Sequence, residues 1–211
     1  MADLLVDVQS APATPASGQV VGWPDTSSKS WWYKNADGNL KGDLYRAATA
    51  AQGAGFASDT YVTSSGLLLP STSMVAGMWW RWQLTITKTA AGTATPIWQV
   101  RIGTGQSTSD TSRLSITTAA QTAASDTALV TILLTCRSVG ASGVLRGAVW
   151  IQHNLAATGF ANTPAGFNLV SGTSSGFDNT ALGGSYVGLS VNGGTSASWT
   201  IEQVLAQCGV G

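Results

Sequence analysis

The chain has 211 residues, with ten Lys plus Arg balancing ten Asp plus Glu, and only 9% of its residues are charged against roughly a quarter in ordinary soluble domains. That length supports one well-buried domain, or one domain plus an arm, and not two large domains. The cations are scattered from Lys29 to Arg146, which leaves no electrostatic footprint for nucleic acid.

So little charge leaves solubility to Ser, Thr, Gly, Asn and Gln, or to surface hidden within an assembly. The scarcity of Glu and Lys beside abundant Thr, Val and Trp turns the fold class to all-β. The opening M-A-D-L-L-V-D-V carries two Asp and no basic region, so no signal peptide is expected. No run approaches the roughly 18 apolar residues of a membrane span, and a protein made in a cytoplasm and soluble there, unless released by lysis, is expected.

In chain order, Ala11 to Gly18 (A-P-A-T-P-A-S-G) reads as a Pro/Ala/Ser linker biased to extended backbone. Three short extended pieces follow, Val20 to Trp23, Ser30 to Lys34 and Asn39 to Ala47, with Asp37-Gly38 as a hairpin signal. Residues 1–52 are read as an arm with a short β-hairpin module. So few residues cannot enclose Trp23, Trp31, Trp32, Tyr33, Leu40, Leu44 and Tyr45 in a core of their own. Trp23, Trp31, Trp32, Tyr33, Leu40 and Tyr45 are therefore expected to form an oligomer or anchor interface, where such rings are enriched.

Residues 53–211 are read as an antiparallel β-sandwich of the jelly-roll type. Strands are predicted over Tyr61 to Leu69, Met78 to Thr87, Ile97 to Ile102, Arg113 to Ile116, Ala128 to Arg137, Val144 to His153, Phe167 to Val170, Tyr186 to Val191 and Ser198 to Ala206. Separators rich in Gly, Ser, Thr and Asn lie between them, a spacing that fits a two-sheet fold. Met78 to Thr87 is the clearest: Met78, Trp80, Trp82, Leu84 and Ile86 fall on one face, and Trp79, Arg81, Gln83 and Thr85 on the other. Val130, Ile132, Leu134 and Cys136 form a second apolar face, Leu145, Val149 and Ile151 a third. Cys136 and Cys208, isolated in apolar strands, read as small buried hydrophobes or as a single bridge between neighbouring strands.

Catalytic chemistry is sparse. G-T-S-S-G at 172–176 matches the G-x-S-x-G pattern with Ser174 as nucleophile, which would need His153, the only histidine, as base and Asp178 as orienter. No helix follows, so a turn serine and a strand-end histidine are the expected reading. One His, two distant Cys and dispersed Asp give no metal-ligand spacing, and no phosphate-cradling loop opens a helix. No catalytic residue, metal or cofactor is expected. Nine Trp is high for this length, and Trp planes can stack on sugar rings. Trp80 and Trp82 read as core, whereas Trp79 and Trp98 are candidates for a glycan or partner surface, as in a carbohydrate-binding sandwich or lectin.

Several segments, taken together, resemble structural proteins of tailed bacteriophages. T-P-A-S-G (Thr14 to Gly18) followed by W-W-Y-K-N-A-D-G-N-L (Trp31 to Leu40) is similar to the N-terminal module of phage fibre and decoration proteins. D-T-Y-V-T-S-S-G-L-L-L-P (Asp59 to Pro70), R-W-Q-L-T-I-T-K-T-A-A-G-T-A-T-P (Arg81 to Pro96), R-S-V-G-A-S-G-V-L-R-G (Arg137 to Gly147) and V-G-L-S-V-N-G-G-T-S-A-S-W-T-I (Val187 to Ile201) resemble small jelly-roll virion proteins. The resemblance covers most of residues 14 to 206. It implies a non-enzymatic protein of the virion surface, a capsid decoration or a head- or tail-fibre-like appendage. It also implies a homo-oligomer, commonly a trimer, whose N-terminal arm docks on other virion proteins while the jelly roll faces outward and meets host glycans.

Overall fold

The computed structural model describes residues 12–17, 19–24, 31–35, 40–48, 50–164 and 168–210. Its strands are β1 (Val20–Pro24), β2 (Trp31–Asn35), β3 (Leu40–Ala47), β4 (Gln52–Gly55), β5 (Thr60–Tyr61), β6 (Leu67–Leu68), β7 (Met78–Lys88), β8 (Ile97–Gly103), β9 (Thr111–Thr117), β10 (Asp126–Ser138), β11 (Val144–His153), β12 (Leu169–Thr173), β13 (Tyr186–Asn192) and β14 (Trp199–Val210). No helix occurs among the described residues, and all pairings are antiparallel.

The strands form two sheets packed as a sandwich. The larger runs β1-β2-β3-β14-β7-β10-β11-β12 with β4 also on β14; the smaller runs β5-β13-β8-β9 with β6 also on β13. The alternation in Met78–Lys88 appears as strict buried and half-buried positions along β7. Trp80, Trp82, Leu84 and Ile86 join Val130, Ile132 and Leu134 of β10 and Val149 and Ile151 of β11 in a core closed by Val187, Leu189 and Val191 of β13. Burying each such side chain stabilises by about 1.5–3 kcal/mol. Trp199 centres one end, with Phe160, Trp98 and Phe56 rings at centroid separations of 5.2, 5.9 and 6.4 Å, and its Nε1–H donates to Gln121 Oε1 at 2.8 Å.

Strands β11 and β12 of the large sheet pack against Leu114 and Ile116 of β9. Gly147 and Gly172 are register partners there, and a Cβ on Gly147 would stand 2.6 Å from Leu114 Cδ2. Glycine is needed for this close approach and not for a turn.

Several boundaries differ from the sequence expectation. The segment 61–69 is not one strand: Ser64 adopts φ 66°, Ser65 N–H bonds Val62 O at 3.1 Å, and the turn splits β5 from β6. Strand β4 was missed, since Q-G-A-G carries no alternation; it is held by β14. Gly172 and Thr173, expected in a turn, belong to β12. Strand β14 runs on to Val210 across a register shift between Ile201 and Gln203.

Residues 20–47 do not stand apart from the sandwich in their pairing. Strand β3 uses its first half, Leu40 to Gly42, for β2 and its second half, Asp43 to Ala47, for β14, so the β1–β2–β3 ribbon hangs on the large sheet by half of one strand. Arg46 adds a side-chain tie, donating to Gly66 O at 3.0 Å and to Gln106 Oε1 at 2.8 Å. The Asp37-Gly38 turn lies outside the described residues.

Candidate functional site

Grooves open on the outer face of the large sheet. One of about 360 Å³ is lined by Thr131, Leu133, Ala148, Trp150 and Leu169. A second of about 340 Å³ lies between Gln83, Thr85, Leu129, Gln203, Leu205 and the end of β3. A third of about 320 Å³ lies between Arg137, Val144, Arg146 and Thr173. The register explains why these residues share a face: Thr131 pairs with Trp150, Leu133 with Ala148 and Thr135 with Arg146, while Trp150 pairs with Leu169 and Arg146 with Thr173. Trp150 is 45% exposed, Leu133 49% and Leu169 63%.

Arg146 is held flat against the edge strand. Its Nη1 donates to Thr173 Oγ1 at 2.7 Å and its Nη2 to Ser171 Oγ at 2.6 Å, which leaves three of the five guanidinium hydrogens for a ligand. Arg81, on the same face, donates through Nε to Gln207 Oε1 at 3.0 Å. Glu202, an acid on this face, accepts from Thr87 Oγ1 at 2.8 Å. It sits in the bulge between the Ile86 and Thr85 rows, roughly 21 Å from the Arg146 row at the usual rise per strand residue.

The candidate residues read from sequence divide. Trp79 is half-buried on the outer face of β7, opposite Thr135, as a contact-surface residue should be. Trp98 is not available: it is 2% exposed and packs on Trp199, because β8 turns its even positions into the core. Trp23 was expected to need a neighbouring subunit, yet it is 0% exposed within this one chain, so its ring offers no interface surface. Trp31 is exposed. The side chains of Trp32, Tyr33, Leu40 and Tyr45 lie outside the described residues. Trp150 was missed although its alternation with Val149 and Ile151 placed it outward; Leu129 and Leu133 were hidden in a continuous apolar run.

The Ser174 constellation does not assemble. Ser174 is buried, and its Oγ accepts the Leu145 N–H at 2.9 Å, which ties it to a β11 position eight residues, about 26 Å, from His153. His153 instead faces Asp126: Nδ1 lies 2.9 Å from Oδ2 and Nε2 3.2 Å from Thr163 O, so both ring nitrogens are occupied. Lys88 completes this buried cluster, donating to Thr122 O at 2.7 Å and Ala124 O at 3.1 Å. Burial holds its ammonium below the ordinary lysine range, opposed by the Asp126 carboxylate. These groups pin the 120–124 and 158–163 loops over one end of the sandwich. No group of three or more His, Cys, Asp or Glu that could hold a metal occurs among the described residues, and Cys136 and Cys208 are buried and form no disulfide.

No family model matches the chain, and no curated protein matches it.

Proposed function

We propose that the protein is a non-enzymatic structural component of a tailed-phage virion, a surface-exposed capsid decoration or fibre-like appendage. In this reading residues 1–52 are the attachment arm and residues 53–211 a jelly-roll body facing outward. The observation that carries it is the double use of β3: the N-terminal ribbon is joined to the sandwich by only five residue pairs, with Val20 and Trp31 exposed on it. A ribbon so joined leaves Val20 and Trp31 outward for a second protein while Trp23 packs with the chain's own core.

Three further features support the reading. The all-β, weakly charged composition suits a surface within an assembly; the buried polar clusters are engaged in tying loops; and the segments quoted above resemble phage virion proteins. Homo-oligomerisation, with three copies as the expected number, follows from that resemblance and from the exposed apolar residues. Trp23 plays no part in it.

Mass spectrometry and symmetry-resolved imaging of purified particles carrying this gene are expected to find the chain on the exterior, as an oligomer with its N-terminal ribbon toward the particle. Its absence from purified particles, or a body facing inward, would sink the proposal.

A further inference from the structure

The outer face of the large sheet carries a charge asymmetry that the sequence disperses. Arg81, Arg137 and Arg146 stand 56 and 9 positions apart in the chain, but the β7–β10–β11 register gathers them at one end of one face: Leu133 pairs with Arg81 and Thr135 with Arg146. Among the side chains that are described, the acid of that face is Glu202, toward the other end; Asp43, level with Trp79 and Thr135 by register, stands four strands across the sheet from Arg146, about 19 Å away. Arg137 and Arg146 line the same groove. Four residues along β11 from Arg146, and on the same face, Trp150 exposes its ring beside Leu133 and Leu169, about 13 Å away. The row between them is Leu133, Ala148 and Ser171, with Thr135 level with Arg146 and Thr131 level with Trp150, all uncharged.

We propose that this face is a binding site for an acidic, uronate-type glycan, with a carboxylate held between Arg137 and Arg146 and the C–H face of a neighbouring sugar stacked on Trp150. The chemistry favours this ligand on each count. A guanidinium pre-set by Thr173 and Ser171 keeps donors free in the fork that a carboxylate accepts. An exposed indole on a flat sheet offers the apolar plane that a sugar ring covers. The hydroxyls of Thr131, Thr135 and Ser171 suit a ligand that is itself hydroxylated. Three cations are too few to track a duplex, whose binders neutralise roughly 6–10 phosphates. The proposal rests on the outward-facing body of the preceding reading, since an inward face would meet no cell-surface glycan.

The test is affinity electrophoresis of the purified full-length chain through gels containing alginate, a polyuronate, with dextran as neutral control and duplex DNA as competing polyanion. Alginate is expected to retard the protein and dextran not. Arg146→Ala and Trp150→Ala should each weaken retardation by about tenfold, and Arg146→Lys, which keeps the charge without the fork, should recover only part of it. Both positions are exposed, so melting curves of the three variants should overlay the wild type. The proposal is overturned by no retardation in alginate, by retardation that Trp150→Ala leaves unchanged, by DNA binding as strong as alginate binding, or by self-association that Trp150→Ala dissolves in a chain that ignores alginate. Because the assay uses the isolated chain, its failure leaves incorporation into particles as a separate result.

Discussion

His153 Nδ1 lies 2.9 Å from Asp126 Oδ2 with both side chains sealed from solvent. The same carboxylate accepts the Phe160 N–H at 3.1 Å and, through Oδ1, the Thr127 N–H at 2.8 Å. Asp126 thus ties β10, the end of β11 and the loop before β12 to one point. Removing it strands a buried imidazole and two backbone donors, so Asp126→Ala is expected to cost about 3–5 kcal/mol, read as a lowered urea midpoint. A cost under about 1 kcal/mol would show that the loops hold without it.

Gly147→Val tests the close approach of the two sheets. The new branched side chain must displace Leu114, whose Cδ2 would be 2.6 Å from a Cβ. Overpacking of this kind costs about 1–3 kcal/mol. The double variant Gly147→Val with Leu114→Ala should recover part of the loss, and a melting temperature unmoved by Gly147→Val would refute the account.

Much of the body was legible because its strands obey one rule. In β7, β10 and β11 a single buried face alternates with a solvated one, so period-two reading located them to within a few residues. Where the code was not local it failed. The break at Ser64 depends on a positive φ that Gly would advertise and Ser does not; β4 exists because β14 offers an edge; Trp98 reads the same inward or outward until β8 is paired. The outer face was least legible, since Arg81, Arg137, Arg146 and Trp150 become neighbours only through strand register.

Arg46→Ala is expected to loosen the ribbon without melting the body. The guanidinium bonds Gly66 O and Gln106 Oε1, worth about 1–2 kcal/mol together. Limited proteolysis should cut N-terminal to β4 about tenfold faster, following the larger open population, with little change in the main thermal transition. Equal cutting rates would assign the attachment to backbone pairing alone.

Alkaline stability should carry a signature of Cys136. Burial pushes its thiol above the usual value of 9.0, opposed by a backbone contact to Ser138, so the folded chain keeps this proton to higher pH than the unfolded chain. The resulting stabilisation is complete below pH 9.0 and is lost as pH climbs from there through the raised folded value. Tyr61, also raised by burial, adds the same sign from about 10.0 upward, while Lys88, lowered by burial, acts in the opposite direction as pH rises toward 10.5. Cys136→Val should therefore flatten the fall in melting temperature as pH rises from 9.0 upward, and an unchanged slope would count against a buried thiol as its source.

The fluorophosphonate reactivity expected of a serine nucleophile should be absent, because Ser174 Oγ is spent on the Leu145 N–H. Wild type and Ser174→Ala should label alike at background, with the variant losing about 1–2 kcal/mol for the orphaned amide. Labelling confined to the wild type would restore the hydrolase reading.

The division of β3 between two partners also fixes how the molecule would bear mechanical load. Tension entering through the N-terminal ribbon passes along the axis of β3 into β14, whose antiparallel hydrogen bonds stand perpendicular to the strands and so resist it in shear, together rather than one after another. Strand β14 is flanked on its other side by β7 along almost its whole length, which spreads the pull into the middle of the large sheet. A tether built this way would give at the ribbon before the body deformed.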